Sequence, residues 1–288
     1  MKIAFLGIGL MGLPMSQRLL DAGYDLTVWN RTPDKCSSLT EQGAQLALSA
    51  EDAASGADIV FFCLTDSAAV QSVWQKIQPA LTADTVLVDC SSIDPLVTQQ
   101  LSKEASDASC HWIDCPVSGG VPGARAGSLA MMAGGDKAVL DRIRDVLSHL
   151  SSKVTYMGPS GSGQYAKICN QMIVSCNALV IAEVVAFAEK AGVDSHKLAD
   201  AFEGGFADSK PLQILAPEMA ERRFTPPKWY VDTLLKDLSM AVDHTGQCEA
   251  EAPMTQLARQ LMKAHSDNGF GGDDPSTLIK RYLDVDKV

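Results

Sequence analysis

The sequence predicts an α/β domain built on a doubly wound, mostly parallel sheet, followed by an all-α domain entered through a long helix. Three observations predict it. Short apolar runs alternate with amphipathic stretches through the first 110 or so residues, the runs are apolar at nearly every position, and the texture changes near Ser151 to long helical stretches without strand signals. Strands that are apolar on both faces belong to a parallel sheet covered by helices on both sides.

Taken in order, Lys2–Leu6, Leu26–Trp29, Ile59–Leu64 and Val86–Cys90 read as strands, with Met11–Ala22, Pro33–Gln42, Ser67–Ile77 and Pro95–Ala105 as helices between them. His111–Cys115 and Ser128–Ala133 read as further strands and Asp136–Leu150 as a helix. The texture changes near Ser151. Residues 164–190 run for about 27 residues without Pro or Gly, roughly 40 Å of helix at 1.5 Å per residue. Helical segments follow at Ser195–Phe202, Pro211–Arg222, Val231–Gly246, Pro253–His265 and Pro275–Leu283. Several have Pro, Asp or Ser at or before their starts, as helix N-termini prefer. The expected boundary puts the α/β domain at residues 1–160 and the helical domain at 161–288.

A chain of 288 residues is long enough for two cores. Lys and Arg number 24 against 35 Asp and Glu, a net charge of −11. That balance argues against nucleic acid or an anionic membrane as partner. An anionic ligand then needs a local device to hold it. No uninterrupted apolar run approaches the roughly 18–20 residues of a membrane span. The opening MKIAFLGIGLMG lacks a basic stretch followed by a cleavage site. The expectation is a soluble cytoplasmic protein. The eight cysteines are scattered without a CxxC pair, so they read as free thiols rather than metal ligands or disulfides.

The local device is Gly7-Ile8-Gly9-Leu10-Met11-Gly12, a GxGxxG that follows an apolar strand and opens a helix. In that setting the first glycine permits the tight turn, the second lets backbone approach a pyrophosphate, and the third allows close helix–strand packing. Free N–H groups at the helix start attract the anion. This makes the first domain a Rossmann-type dinucleotide-binding domain. An acidic residue that would read a ribose 2′-hydroxyl belongs about 20 residues on. Here that place holds Asn30-Arg31-Thr32, with Asn30 18 residues after Gly12. With no carboxylate, and with a guanidinium able to fork onto a 2′-phosphate, NADP(H) is favoured and NAD(H) is the second candidate.

Two further segments stand out. Asp114-Cys115-Pro116-Val117-Ser118-Gly119-Gly120 follows a strand, and its Ser-Gly-Gly offers a hydroxyl and backbone N–H groups for an anion. Gly161-Ser162-Gly163-Gln164-Tyr165-Ala166-Lys167 is a second glycine-rich entry into a helix. Lys167 lies in its first turns, where the helix dipole and apolar neighbours both disfavour a positive charge. Asn170 and Gln171 follow at i+3 and i+4 on nearly the same face. A lysine beside amides is apparatus for moving a proton at a hydroxyl or carbonyl oxygen. Read alone, the first segment is equally consistent with an ordinary turn, and the second favours a solvated helix lysine.

Four blocks in order carry a resemblance: GxGxMGxPM at Gly7–Met15, DxPVSGG…AxxGxL at Asp114–Leu129, GxGxxxKxxN at Gly161–Asn170, and KDL at Lys236–Leu238. On these the chain resembles the β-hydroxyacid dehydrogenase family (3-hydroxyisobutyrate dehydrogenases, tartronate semialdehyde reductases and glyoxylate/succinic semialdehyde reductases) over nearly its whole length. The resemblance implies an NAD(P)-dependent oxidoreductase for a small carboxylate-bearing substrate. It implies Lys167 as catalytic acid/base, with Asn170 and Gln171, and Ser118, Gly119 and Gly120 on the substrate carboxylate. It implies Leu64, Thr65, Ser92 and Lys236 along the cofactor, beside Gly7, Ile8, Gly9, Leu10, Met11, Gly12, Asn30, Arg31 and Thr32, and Asp237 closing the site. Gln171 stands where many members have Asn, and Trp229 where relatives commonly have Phe beside the substrate. Both leave the individual substrate open. An imine reductase on the same scaffold and a non-catalytic NADP-binding platform are the alternatives, and members of both kinds typically lack the lysine. No metal is expected. The apolar face of the long helix and the resemblance together imply a homodimer or homotetramer.

Overall fold

The computed structural model describes residues 1–283. The chain divides into two compact units, one ending at Lys167 and the other beginning at Ile168. This division falls inside the long helix, Ser162–Lys190, which therefore starts in the first unit and continues into the second.

In the first unit nine strands form one sheet: β1 Lys2–Leu6, β2 Asp25–Trp29, β3 Gln45–Leu46, β4 Ile59–Phe62, β5 Val86–Asp89, β6 His111–Asp114, β7 Val117–Ser118, β8 Leu129–Gly135 and β9 Ser151–Gly158. The order is β3-β2-β1-β4-β5-β6-β8-β7, with β9 paired to β8. Strands β3 through β6 along this path pair in parallel, whereas β8 is antiparallel to β6 and to β7. From β1 the chain fills one side and then crosses to β4 on the other. The sheet reverses between β1 and β4, and the carboxyl ends of these strands flank the crevice where such sheets take ligands.

The winding follows from the strand residues. Ile3, Phe5, Ile59 and Phe61 bury into one core with Met15 and Leu19 of the helix Gly12–Asp21. Ala4, Leu6, Val60 and Phe62 bury into a second core with Val70, Val73, Trp74 and Ile77 of the helix Ser67–Ile77. Successive side chains point to opposite faces, so a strand apolar at every position needs a helix on each side. The aromatic residues lock both layers: Phe5 stacks on Phe61 at 5.6 Å, and Trp112 meets Trp74 at 5.9 Å. The Trp74 indole N–H is satisfied by Glu104 at 2.6 Å.

The sequence reading assigned Ser151–Gly158 to no element, and the structure corrects this. These residues form β9, parallel to β8. Their polar, largely exposed character concealed a strand with one face in solvent. Pro33–Gln42 is a 3-10 turn at Pro33–Cys36 followed by one short helical turn, and Pro275–Arg281 is 3-10 rather than α-helical. The short elements β3, β7, Ala50–Ala54 and Gly120–Ala126 were too brief to carry a periodic signal.

The second unit is helical. Leu179, Ala182, Val185 and Ala186 of the long helix share its core with Leu212, Leu215 and Met219 of Lys210–Ala220, Leu234 and Leu238 of Val231–Gln247, and Ala258 and Met262 of Pro253–His265. By length and hydropathy alone the long helix could cross a bilayer, but half of its most apolar stretch is buried inside the protein. Ile173, Val180 and Phe187 lie outside that core and are 64%, 47% and 74% exposed. Their spacing of seven residues makes them one stripe along the helix.

His265 also sits in this unit, buried, stacked on Phe270 at 4.5 Å and 2.9 Å from the Thr277 hydroxyl. Burial first, then the charges of Arg281 and Lys280, push its pKa down from 6.5 to about 4. A depressed histidine stabilises the fold above its unfolded pKa and loses that contribution as pH falls. We expect stability to fall between pH 6.5 and about 4, by about 1.4 kcal/mol per pH unit from this residue. Urea melts at several pH values check this; a His265→Asn variant with an equally steep acid slope would contradict it.

Candidate active site

The glycine loop sits at the sheet's reversal point, and its three glycines are there for different reasons. Gly7 has φ +106°, and a Cβ on it would overlap the Cys63 carbonyl at the end of β4. A Cβ on Gly12 would overlap the Gly7 carbonyl. Around Gly9, by contrast, nothing lies within 4 Å of a Cβ position, and the residue is exposed. Two glycines therefore serve chain packing, and the middle one leaves open space over backbone at a helix start. That opening, with the free N–H groups of the following helix, fits a pyrophosphate. Ile8 is buried, Met11 packs at the first core's margin, and Leu10 is 47% exposed.

The loop after β2 is tied to the glycine loop. Asn30 Oδ1 accepts the Ile8 N–H at 3.0 Å, and Asn30 Nδ2 donates to Thr32 O at 2.9 Å. Asn30 thus holds the two loops together. Arg31 and Thr32 are exposed beside it, and no ion pair engages Arg31 among the described residues. Next along the sheet edge, the Leu64 N–H donates to Ser91 Oγ at 2.9 Å. Thr65 is exposed and donates to Asp66, and Ser92 is half-buried. Cys63, Cys90 and Cys115 follow the ends of β4, β5 and β6. Burial pushes all three thiols up, Cys63 to about 12, so they stay protonated and are poor nucleophiles.

Past β6 the chain makes β7 and then turns through Gly119 and Gly120, at φ +131° and +60°. Ser118 is half-buried and Gly119 exposed. Lys167 Nζ donates to Val117 O at 2.9 Å, so the structure brings the amine to the residue just before Ser118-Gly119-Gly120. The helix reaches that place because Gly163 has no room for a side chain: a Cβ there would overlap Met132 O and lie 2.8 Å from Asp114 O and Oδ2. Its glycines allow close approach to the sheet.

Residues that sequence reasoning did not assign to the site connect these pieces. Gln164, buried and one turn before Lys167, donates through Nε2 to Ser91 O at 2.9 Å, while its Oε1 accepts the Ile93 N–H at 3.2 Å. Ser91 Oγ, in turn, holds Leu64. The signal was a polar residue on the inner side of the helix's first turn, inside the GxGxxxK block.

In the second unit Gln171 and Asp237 are both buried, with Gln171 Nε2 donating to Asp237 Oδ2 at 2.6 Å. Lys236 Nζ lies 3.4 Å from the other Asp237 oxygen. The KDL block and the amide after Asn170 therefore form one cluster, with the carboxylate held from both sides. The Asn170 side-chain oxygen and the Trp229 indole nitrogen are each buried without a hydrogen-bond partner among the described residues, and Trp229 packs at the margin of the helical core.

Comparisons with known proteins cover both units. Residues 2–158 match the family model of the NAD binding domain of 6-phosphogluconate dehydrogenase. Residues 161–282 match that of the NAD-binding region of NADP-dependent 3-hydroxyisobutyrate dehydrogenase. The chain is 36% identical to probable 3-hydroxyisobutyrate dehydrogenase-like 1, mitochondrial, of Arabidopsis thaliana, covering 99% of this chain and 86% of that one. It is 33% identical to 2-hydroxy-3-oxopropionate reductase of Escherichia coli (97% and 96% covered). The solved structure of Psf3 in complex with NADP+ and 2-OPP superposes with a TM-score of 0.91 at 26% identity, covering 98% of this chain and 100% of that one. With a nicotinamide-dinucleotide fold, a helix-borne lysine at the Ser-Gly-Gly turn and relatives aligned over nearly its whole length, the chain belongs to the β-hydroxyacid dehydrogenase family of oxidoreductases.

Proposed function

We propose that this enzyme interconverts a small β-hydroxy acid and its semialdehyde, with NADP(H) as the favoured cofactor and Lys167 as acid/base. The observation that carries this reading is the Lys167 amine, 2.9 Å from Val117 O, set beside a turn whose backbone can hold a carboxylate. A nicotinamide cofactor, when bound, supplies or takes the hydride. The glycine loop and the Gly9 opening bind its pyrophosphate, and Leu64, Thr65 and Ser92 line its path. Ser118 and the N–H groups of Gly119 and Gly120 orient the substrate carboxylate, so the reacting carbon is presented in one geometry. Lys167 gives a proton to the carbonyl oxygen during reduction and takes it from the hydroxyl during oxidation. Asn170 and Gln171, on the next turn of the same helix, add amide hydrogen bonds to that oxygen's surroundings. Asp237 accepts from Gln171 and, with Lys236 on its other oxygen, keeps that amide oriented.

Support for NADP(H) over NAD(H) is the exposed, unpaired Arg31 beyond β2, with no acid at the place of a 2′-hydroxyl reader. A steady-state panel tests the reading: glyoxylate, succinic semialdehyde, tartronate semialdehyde and methylmalonate semialdehyde, with the matching hydroxy acids, each with both cofactors. We expect turnover of at least one pair and a higher kcat/KM with NADPH. Arg31→Ala should lower the NADPH value tenfold to roughly a hundredfold, as loss of a charge-assisted hydrogen bond of about 1.5–3 kcal/mol does, and spare NADH. Turnover of cyclic imines alone would overturn the assignment.

The stripe of Ile173, Val180 and Phe187 supports a homo-oligomer, since soluble monomers seldom leave apolar rows uncovered. A monomeric mass by light scattering would sink that part of the reading.

A further inference from the structure

Asp114 closes β6 and is fully buried. Its Oδ1 accepts the Gly161 N–H at 2.9 Å and its Oδ2 accepts the Gln164 N–H at 3.1 Å. Both donors sit at the start of the long helix, where N–H groups have no partner within the helix. One carboxylate thus satisfies two of them and sits at the positive end of the dipole. Space around it is closed on two sides. A Cβ on Gly134 of β8 would lie 2.7 Å from either carboxylate oxygen, and one on Gly163 would lie 2.8 Å from Oδ2. A carboxyl group here is costly: burial raises the Asp114 pKa, and hydrogen bonds from Gly161, Gln164 and Gly163 only partly offset it. A buried charge kept at such a cost calls for a reason beyond packing.

The reason lies three residues on. Asp114 is followed along the chain by Cys115, Pro116 and Val117, and Val117 O receives the Lys167 amine. The helix is therefore gripped twice by one short segment, at its first turn by the Asp114 carboxylate and one turn later through Lys167. We propose that Asp114 is the positioning residue of the catalytic apparatus: it pins the start of the long helix to the end of β6, and so places the Lys167 amine against the Ser118-Gly119-Gly120 turn. This rests on the reading of Lys167 as the acid/base. A lysine has four rotatable side-chain bonds, so where its nitrogen sits depends on where its helix begins. A misplacement of about 1 Å in a reacting group can cost a hundredfold in rate.

The test uses Asp114→Asn, which keeps the shape but replaces one acceptor by a donor, and Asp114→Ser, which is smaller and keeps a hydroxyl acceptor. We expect a fall in kcat of tenfold or more for the folded variants, with cofactor Kd and substrate KM within about twofold of wild type. Asp114→Ser should recover part of the rate lost in Asp114→Asn. In a Lys167→Ala background, followed at high enzyme concentration, the Asp114 substitutions should change residual turnover by less than twofold. A kcat unchanged in the single variants would overturn the proposal. An equal fold-loss with and without Lys167 would also overturn it, as would failure of both variants to fold, which would make Asp114 a general structural residue. Failure of the Lys167 reading shows separately, as full activity of Lys167→Ala alone.

Discussion

Replacing Lys167 by Ala should lower kcat by about 10²- to 10⁴-fold, the usual contribution of a positioned acid/base group. The expectation follows from the place of the amine. Its hydrogen bond to Val117 O at 2.9 Å uses one of three donors, and the helix behind it is clamped by Asp114 and Gln164. A hydrogen bond of this kind contributes roughly 1 kcal/mol of stability, so the variant should fold. Dinucleotide affinity should stay within about twofold, because the glycine loop and Arg31 lie on other strand ends. Lys167→Arg should be nearly as slow: a guanidinium keeps the charge but does not release its proton near neutral pH. Single-turnover rates alongside a cofactor titration separate the two effects. A Lys167→Ala enzyme with more than a tenth of wild-type kcat would assign proton transfer to another group.

The second large effect divides the glycine loop. In Gly12→Ala the new methyl meets the Gly7 carbonyl, which is backbone and cannot swing aside. We expect a loss of several kcal/mol, on the order of 4, seen as a large fall in Tm or as insoluble protein. Gly9→Ala meets nothing in the unliganded fold, so its Tm without cofactor should stay near wild type, within about 0.5 kcal/mol. Its cofactor Kd should nonetheless rise at least tenfold, because the methyl takes the space through which a pyrophosphate approaches backbone. Thermal melts and fluorescence titration with NADPH measure both. Tight binding by Gly9→Ala would mean that the phosphates lie elsewhere.

Some parts of the molecule are written locally in the sequence. Lys2–Leu6 is legible as a strand because Ile3, Ala4, Phe5 and Leu6 are apolar in succession, and their burial on both faces demands it. The helix from Ser67 to Ile77 is legible from its apolar spacing and the Asp66 cap. β9 is not: Ser151–Gly158 opens with three polar residues in a row and is largely exposed, and only pairing with β8 makes it a strand. Pro33–Cys36 and Pro275–Arg281 carry helix-like starts, but nothing in their composition separates a 3-10 turn from an α-helix.

The same divide runs through the site. Composition and motif determined a dinucleotide-binding fold and a following helical unit, because glycine spacing and apolar periodicity act over a few residues; Lys167 stood out as catalytic only through the resemblance to the family. The tertiary structure decided that Asn30 bridges two loops, that Gln164 ties the helix to Ser91, that Gln171 and Lys236 share Asp237, and that the glycines at 161 and 163 admit a helix rather than a phosphate. Each of those facts depends on residues between about 20 and 75 positions apart. Contacts of that range exist only after the sheet has stacked its strand ends side by side, which no local propensity encodes.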